Sequence, residues 1–221
     1  MNASTSSPTD TAHKRERRKH DRPGELLDAA LQVFVEKGYA AARVEEVARR
    51  AGVSKGTLFL YFASKEALFK AVVRENIGRH VADGLRQVAE FTGPSDELMR
   101  EFIRHWWQSY GSSPAAGLSK LLVAEAANFP SLVAYYRQEV VEPEHELVRQ
   151  ILQRGMARGD FRAVDLNLTP LLIIAPLVQM TLWRFTQTVC CTPSVAPDPT
   201  ALLEQHAEMV IRGLRKDGSA P

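Results

Sequence analysis

The chain has 221 residues, 45% of them hydrophobic and 24% charged, a balance that excludes an intrinsically disordered chain and calls for a packed core. Its net charge of +2 hides an asymmetry, because residues 1–65 carry 12 Lys/Arg against 8 Asp/Glu while the rest is slightly acidic. The two cysteines, Cys190 and Cys191, are neighbours, awkward for a disulfide and lacking the spacing of a metal clip. They read as soft, buried side chains in a reducing cytoplasm, with a redox-sensing thiol as the alternative.

Residues 1–12 are rich in Ser, Thr, Asn and Pro and are expected to be disordered. The basic run Lys14, Arg15, Arg17, Arg18, Lys19 and Arg22 follows, so residues 1–22 are expected to form a disordered basic arm, either a solvated tail or a contact to phosphate and the minor groove. No apolar segment there suggests a secretion signal. Leu26, Leu27, Ala30, Leu31, Phe34 and Val35 recur at helical spacing and predict a first helix over 23–37, with Pro23 in its first turn and Gly38 at the reversal. Val44, Val47, Ala48 and Ala51 mark a short second helix ending at Gly52. Ser54 caps a third through Tyr61, and Ser64 a fourth that reaches about residue 90.

The remainder continues in the same period. A helix from Ser95 carries Leu98, Phe102, Trp106 and Tyr110, and another spans 115–127, before Pro130. A third spans 131–155, with Pro143 as a kink. A strongly apolar helix follows from Asp165 to about Cys191, interrupted by Pro170 and Pro176. A connector spans Thr192 to Thr200, and a last helix places Leu203, Ala207, Val210 and Leu214 on one stripe. No run alternates with period two, so the fold is all-α. The expected organisation is a three-helix head over 23–68, a helical trunk over 69–216 and a tail over 217–221. The apolar run 168–183 is shorter than the ~20 residues a membrane span needs and contains Gln179, so no membrane association is expected.

Residues 38–66, GYAAARVEEVARRAGVSKGTLFLYFASKE, carry the functional signal. Two short helices joined through Gly52 have the layout of a helix-turn-helix. Ala48 is small where the helices cross, Gly52 permits the turn, and Val53 fills the space between them. The second helix should bury Leu58 and Phe62 while exposing Lys55, Thr57 and Tyr61. Short polar and basic groups at its start suit the major groove of double-stranded DNA.

The run from Gly38 and Tyr39 through Val44, Glu46, Val47 and Ala48, then AGVSKGTLFLYF and SKEAL, resembles the N-terminal domain of TetR-family regulators over roughly residues 24–70. The resemblance implies a dimer of nine-helix subunits, with a DNA-binding head, a ligand-responsive trunk and a four-helix dimer interface from the last two helices. It places Lys55, Gly56 and Thr57 where recognition-helix residues approach bases and phosphates. Tyr61 and Lys65 fall where the backbone is clamped, and Ser54 serves as the cap. Two positions depart from the family pattern. Ala42 and Arg43 stand where a Thr is frequent, so Arg43 supplies a charged phosphate contact, and Phe59 stands where a tyrosine is common.

In the trunk, Phe102, His105, Trp106, Phe129, Gln179 and Trp183 are the candidate lining of a ligand pocket, with Arg104, His105 and Gln179 as polar anchors. The resemblance implies a small, often apolar effector and, as the common outcome, repression. There is no Gly-rich phosphate loop, HExxH, nucleophile elbow or metal-ligand spacing, so neither catalysis nor a cofactor or metal is expected. His145 sits beside Glu144 and Glu146, but adjacent helical residues point apart. A helical scaffold that binds only protein is the competing reading, and it leaves the basic head unexplained. The helix around Leu168–Trp183 is apolar nearly all round and is expected to form part of a homodimer seam.

Overall fold

The structure, a computed structural model, describes residues 8–186 and 198–216, with side chains from Arg22 onward apart from Arg79 and Thr186. Residues 1–7 of the expected arm, the pair Cys190 and Cys191, and the tail 217–221 lie outside the described residues. Nine helical runs and no strand occur among the described residues. They are α1 (Pro8–Ala41), α2 (Val44–Arg50), α3 (Lys55–Tyr61), α4 (65–90), α5 (95–111), α6 (114–125), α7 (130–158), α8 (Thr169–Thr186) and α9 (Pro199–Leu214).

The first helix differs from expectation at its start. It begins at Pro8 rather than Pro23, so residues 8–22 are helical where disorder was expected. Lys, Arg and Glu dominate residues 14–19 and are strong helix formers, and Pro23 sacrifices a backbone hydrogen bond without ending the helix. The reversal falls at Gly38, where φ is 78° and ψ is 167°. Leu26, Ala30, Phe34, Val47, Leu58, Leu68 and Phe69 are buried in the core of this part. Phe69 meets Phe34 and Tyr39 edge-on at 5.3 and 5.4 Å between ring centres, and Phe34 stacks on Tyr39 at 5.8 Å. Each such ring pair adds about 0.5–1.5 kcal/mol beyond area burial.

The chain divides into two compact units between Val72 and Val73, inside α4 and past the expected boundary at residue 68. The reason is that the first turns of α4 carry Leu68 and Phe69 into the head core.

In the second unit, α4 and α5 both pack on α7, and α8 packs on α5, α6 and α7. Three helices contain one wide π turn each, at Arg74–Gly78, Trp107–Gly111 and Arg137–Val141. The last precedes Pro143, whose missing N–H removes an ordinary helical bond, so the expected kink takes the form of a widened turn. Helix α7 continues to Arg158, three residues beyond the expected end at 155. Gly155 is required there, since a Cβ would lie 2.0 Å from the ring of Phe161, itself fully buried. Asp165 does not begin α8. Its carboxylate accepts the N–H groups of Asn167 and Leu168 in a turn, and the helix starts at Thr169. Asp198 caps α9 by accepting from Thr200 and Ala201. No helix among the described residues is long and apolar enough to cross a membrane.

Candidate nucleic-acid interface and trunk cavity

Helices α2 and α3 are joined by a turn in which Gly52 adopts φ 66°, a left-handed conformation that a side chain would strain. The Val53 N–H donates to Ala48 O at 2.9 Å and closes the end of α2. Ala48, almost fully buried, leaves room for this crossing. Ser54 caps α3 as expected, its Oγ accepting from Thr57 N at 3.0 Å and lying 2.9 Å from Thr57 Oγ1. The cap draws Thr57 to half-buried, so it is less open than expected, and Phe62 is likewise buried only in part. Leu58 is fully buried and anchors the helix.

Lys55, Gly56 and Tyr61 are exposed on α3, and Arg43 is exposed just ahead of α2. Lys55 pairs with Glu45 at 2.6 Å and lies 5.8 Å from the centre of the Phe59 ring. This lysine holds the Glu45 carboxyl below its usual range. Both partners are exposed, so the pair contributes little to stability.

Lys65 departs from expectation. Its ammonium donates to the carbonyls of Tyr39, Ala40 and Ala42 at 2.8, 3.2 and 3.1 Å and sits 4.5 Å from the centre of the Tyr39 ring. A lysine has three donors, and these carbonyls take all three. Rather than standing free as a phosphate clamp, Lys65 ties the start of α4 to the end of α1. Spacing could not show this, since the carbonyls lie more than twenty residues away.

The second unit contains a cavity of about 530 Å³, within the range of small-molecule sites. Ile77, Val81, Val88, Leu98, Phe102 and Leu147 supply its apolar wall. Of the candidate lining, Phe102, His105 and Trp106 border it, as does Arg104. Phe129, Gln179 and Trp183 do not. The walls come from α4, α5 and α7, whereas Phe129 lies just ahead of α7 and the other two lie on α8. An aromatic residue looks the same in sequence whether it fills a core or lines a space.

Glu144 was missed as a cavity residue. It borders the cavity, is 8% exposed, and accepts a hydrogen bond from Trp106 Nε1 at 2.8 Å. Burial pushes its carboxyl up to about 7, with the Trp106 N–H pulling partly the other way. The signal was legible: Glu144, Leu147, Val148 and Ile151 share one helical stripe, an anomalous place for a carboxylate. Close by, the Tyr110 hydroxyl lies 2.6 Å from Ser119 Oγ and 3.0 Å from the Tyr136 hydroxyl. Burial raises both phenols, Tyr136 to about 12. His80 also borders the cavity, and burial followed by the nearby His105 lowers its imidazole. His105 Nε2 and Trp183 Nε1 are buried without a hydrogen-bond partner.

Comparison with known proteins agrees with this division. Residues 26–72 match the family described as bacterial regulatory proteins, tetR family, and residues 89–189 match the tetracyclin repressor-like C-terminal domain. The two matches together cover about two thirds of the chain and fall one in each unit. The chain belongs to the TetR family.

Among solved structures, the fatty acid degradation regulator FadR from Bacillus halodurans superposes with a TM-score of 0.71 at 27% identity, over 87% of this chain and 99% of that one. The fatty acid metabolism regulator protein of Bacillus subtilis is 24% identical over 86% of this chain and 94% of its own. The transcriptional activator FasR of Mycolicibacterium smegmatis is 39% identical, but over 42% of this chain and only 45% of that protein. This chain is therefore a transcription regulator with a DNA-binding head, not an enzyme.

Proposed function

We propose that this TetR-family protein is a cytoplasmic, ligand-responsive repressor that binds a palindromic operator as a homodimer and releases it when a fatty-acid derivative fills the trunk cavity. The observation that carries the reading is a cavity of about 530 Å³, apolar on one wall and lined elsewhere by polar groups such as Arg104, His105 and Glu144, that borders α4, the same helix whose first turns belong to the head. The Bacillus relatives are named as regulators of fatty acid degradation or metabolism, from which the ligand class is inferred, and the apolar wall suits an acyl chain. Arg43, Ser54, Lys55, Gly56, Thr57 and Tyr61 make the DNA contacts in this reading. Lys65 supports them by fixing the end of α1. Dimerisation through α8 and α9 is supported by Leu171, Leu172 and Met209, which stay 46%, 72% and 66% exposed in the single chain.

Coupling runs through α4. Ligand that fits one trunk shape better than another shifts the spacing of the two heads, by an effect of about 1–3 kcal/mol in typical cases. The test is selection of duplexes from a random pool at near-physiological salt, followed by titration with a long-chain fatty acid or its thioester. An enriched inverted repeat with half-sites about one helical turn apart supports the dimer. Operator affinity unchanged at saturating ligand overturns the proposed effector. Reporter output that falls when the protein is removed overturns repression.

A further inference from the structure

Helix α3 presents three neighbouring pairs at i and i+4: Lys55 with Phe59, Gly56 with Leu60, and Thr57 with Tyr61. The outer pairs each carry a hydrogen-bonding or charged group. The middle pair carries none. Leu60 is 85% exposed, the most open of the large apolar side chains described, while its neighbour Leu58 does the packing at 0%. Folding of the head gives no reason for an apolar side chain at residue 60. Gly56 is also unforced by packing, since an added Cβ would meet nothing nearer than Ser54 Oγ at 3.7 Å. The centre of the exposed face is thus a leucine beside a bare stretch of backbone.

We propose that Leu60 reads thymine in the operator by packing on its C5-methyl group, with Gly56 letting the backbone of α3 approach the bases closely. The proposal rests on the DNA-binding reading above. The edges of the major groove display donors and acceptors at every base, and the thymine methyl is their one apolar feature. A leucine pressed against cytosine N4 or adenine N6 would leave a polar group without a partner, which disfavours those bases. Thymine alone gains from the contact. Phe59, 41% exposed and held against Lys55, extends the apolar surface at one side of this stripe.

The test replaces each thymine of the selected duplex in turn by deoxyuridine, which lacks only the methyl group. Binding is measured by fluorescence anisotropy for the wild-type chain and for Leu60→Ala, whose exposed position leaves the fold intact. At one or two half-site positions the wild-type chain should lose about fourfold in affinity per methyl removed, the worth of one buried methyl-sized group. Leu60→Ala should bind thymine and deoxyuridine equally at those positions. A selected duplex that tolerates deoxyuridine throughout overturns the assignment, as does one whose sensitivity is the same in Leu60→Ala; in both cases the DNA-binding reading stands. If no duplex is selected, that reading fails and takes this one with it.

Discussion

Replacing Glu144 by Gln tests the electrostatics of the trunk cavity directly. Glutamine has nearly the same shape and keeps an oxygen to accept from Trp106 Nε1, so the change removes a titrating proton and little else. The carboxyl titrates near 7 in the folded chain against an ordinary value of 4.5, because burial disfavours its charged form. A difference of that size corresponds to about 3 kcal/mol. The folded pKa lies above the unfolded one, so folding is favoured most below about 4.5, where the group is protonated in both states. That advantage is lost progressively as pH rises through 7, and the loss is constant beyond. The amide of the Glu144→Gln variant does not titrate and has no such dependence. Urea denaturation at fixed protein concentration between pH 5 and 8 should show the Glu144→Gln chain gaining on the wild type by about 2–3 kcal/mol over that range. All other groups are common to the two proteins, so their contribution largely cancels in the difference. A difference that stays flat with pH would refute a buried, proton-retaining carboxyl at this place.

Lys65→Ala should destabilise the head by on the order of 2 kcal/mol, seen as a lower thermal midpoint, because three carbonyls at the end of α1 lose a charged donor. An unchanged midpoint with weaker DNA binding would restore Lys65 as a phosphate clamp. Ser54→Ala removes the cap of α3 and should cost about 1 kcal/mol in chemical denaturation, and retention of full stability would show that the cap is dispensable. Gly155→Ala forces its Cβ into the Phe161 ring and should cost roughly 1–3 kcal/mol, with a fully stable variant contradicting the close packing at that point. Arg43→Ala should weaken binding to all duplexes alike and reduce the salt dependence by about one phosphate contact per half-site, whereas a change in sequence preference would place Arg43 against a base.

Sequence alone determined what depends on neighbours along the chain. The helical period of Leu26 to Val35, the glycine needed at 52 for a left-handed turn, and the side-chain cap at Ser54 are local, and they suffice to define the helix-turn-helix. Local rules were less reliable at proline. Pro23 was expected to open a helix and lies inside one, and the effect of Pro143 appears as a wide turn before it. What the tertiary structure decided is which side chains meet across long separations. Lys65 became a tether because folding brings the α1 carbonyls within reach, and Glu144 acquired its raised pKa because folding buries its carboxyl, an effect that the Trp106 N–H offsets only in part. Phe102 lines the cavity and Phe129 does not, although both are phenylalanines in an apolar trunk. A residue's type sets which interactions it can make, but the solvent and partners it meets depend on how the helices pack, and that is settled only when the chain folds.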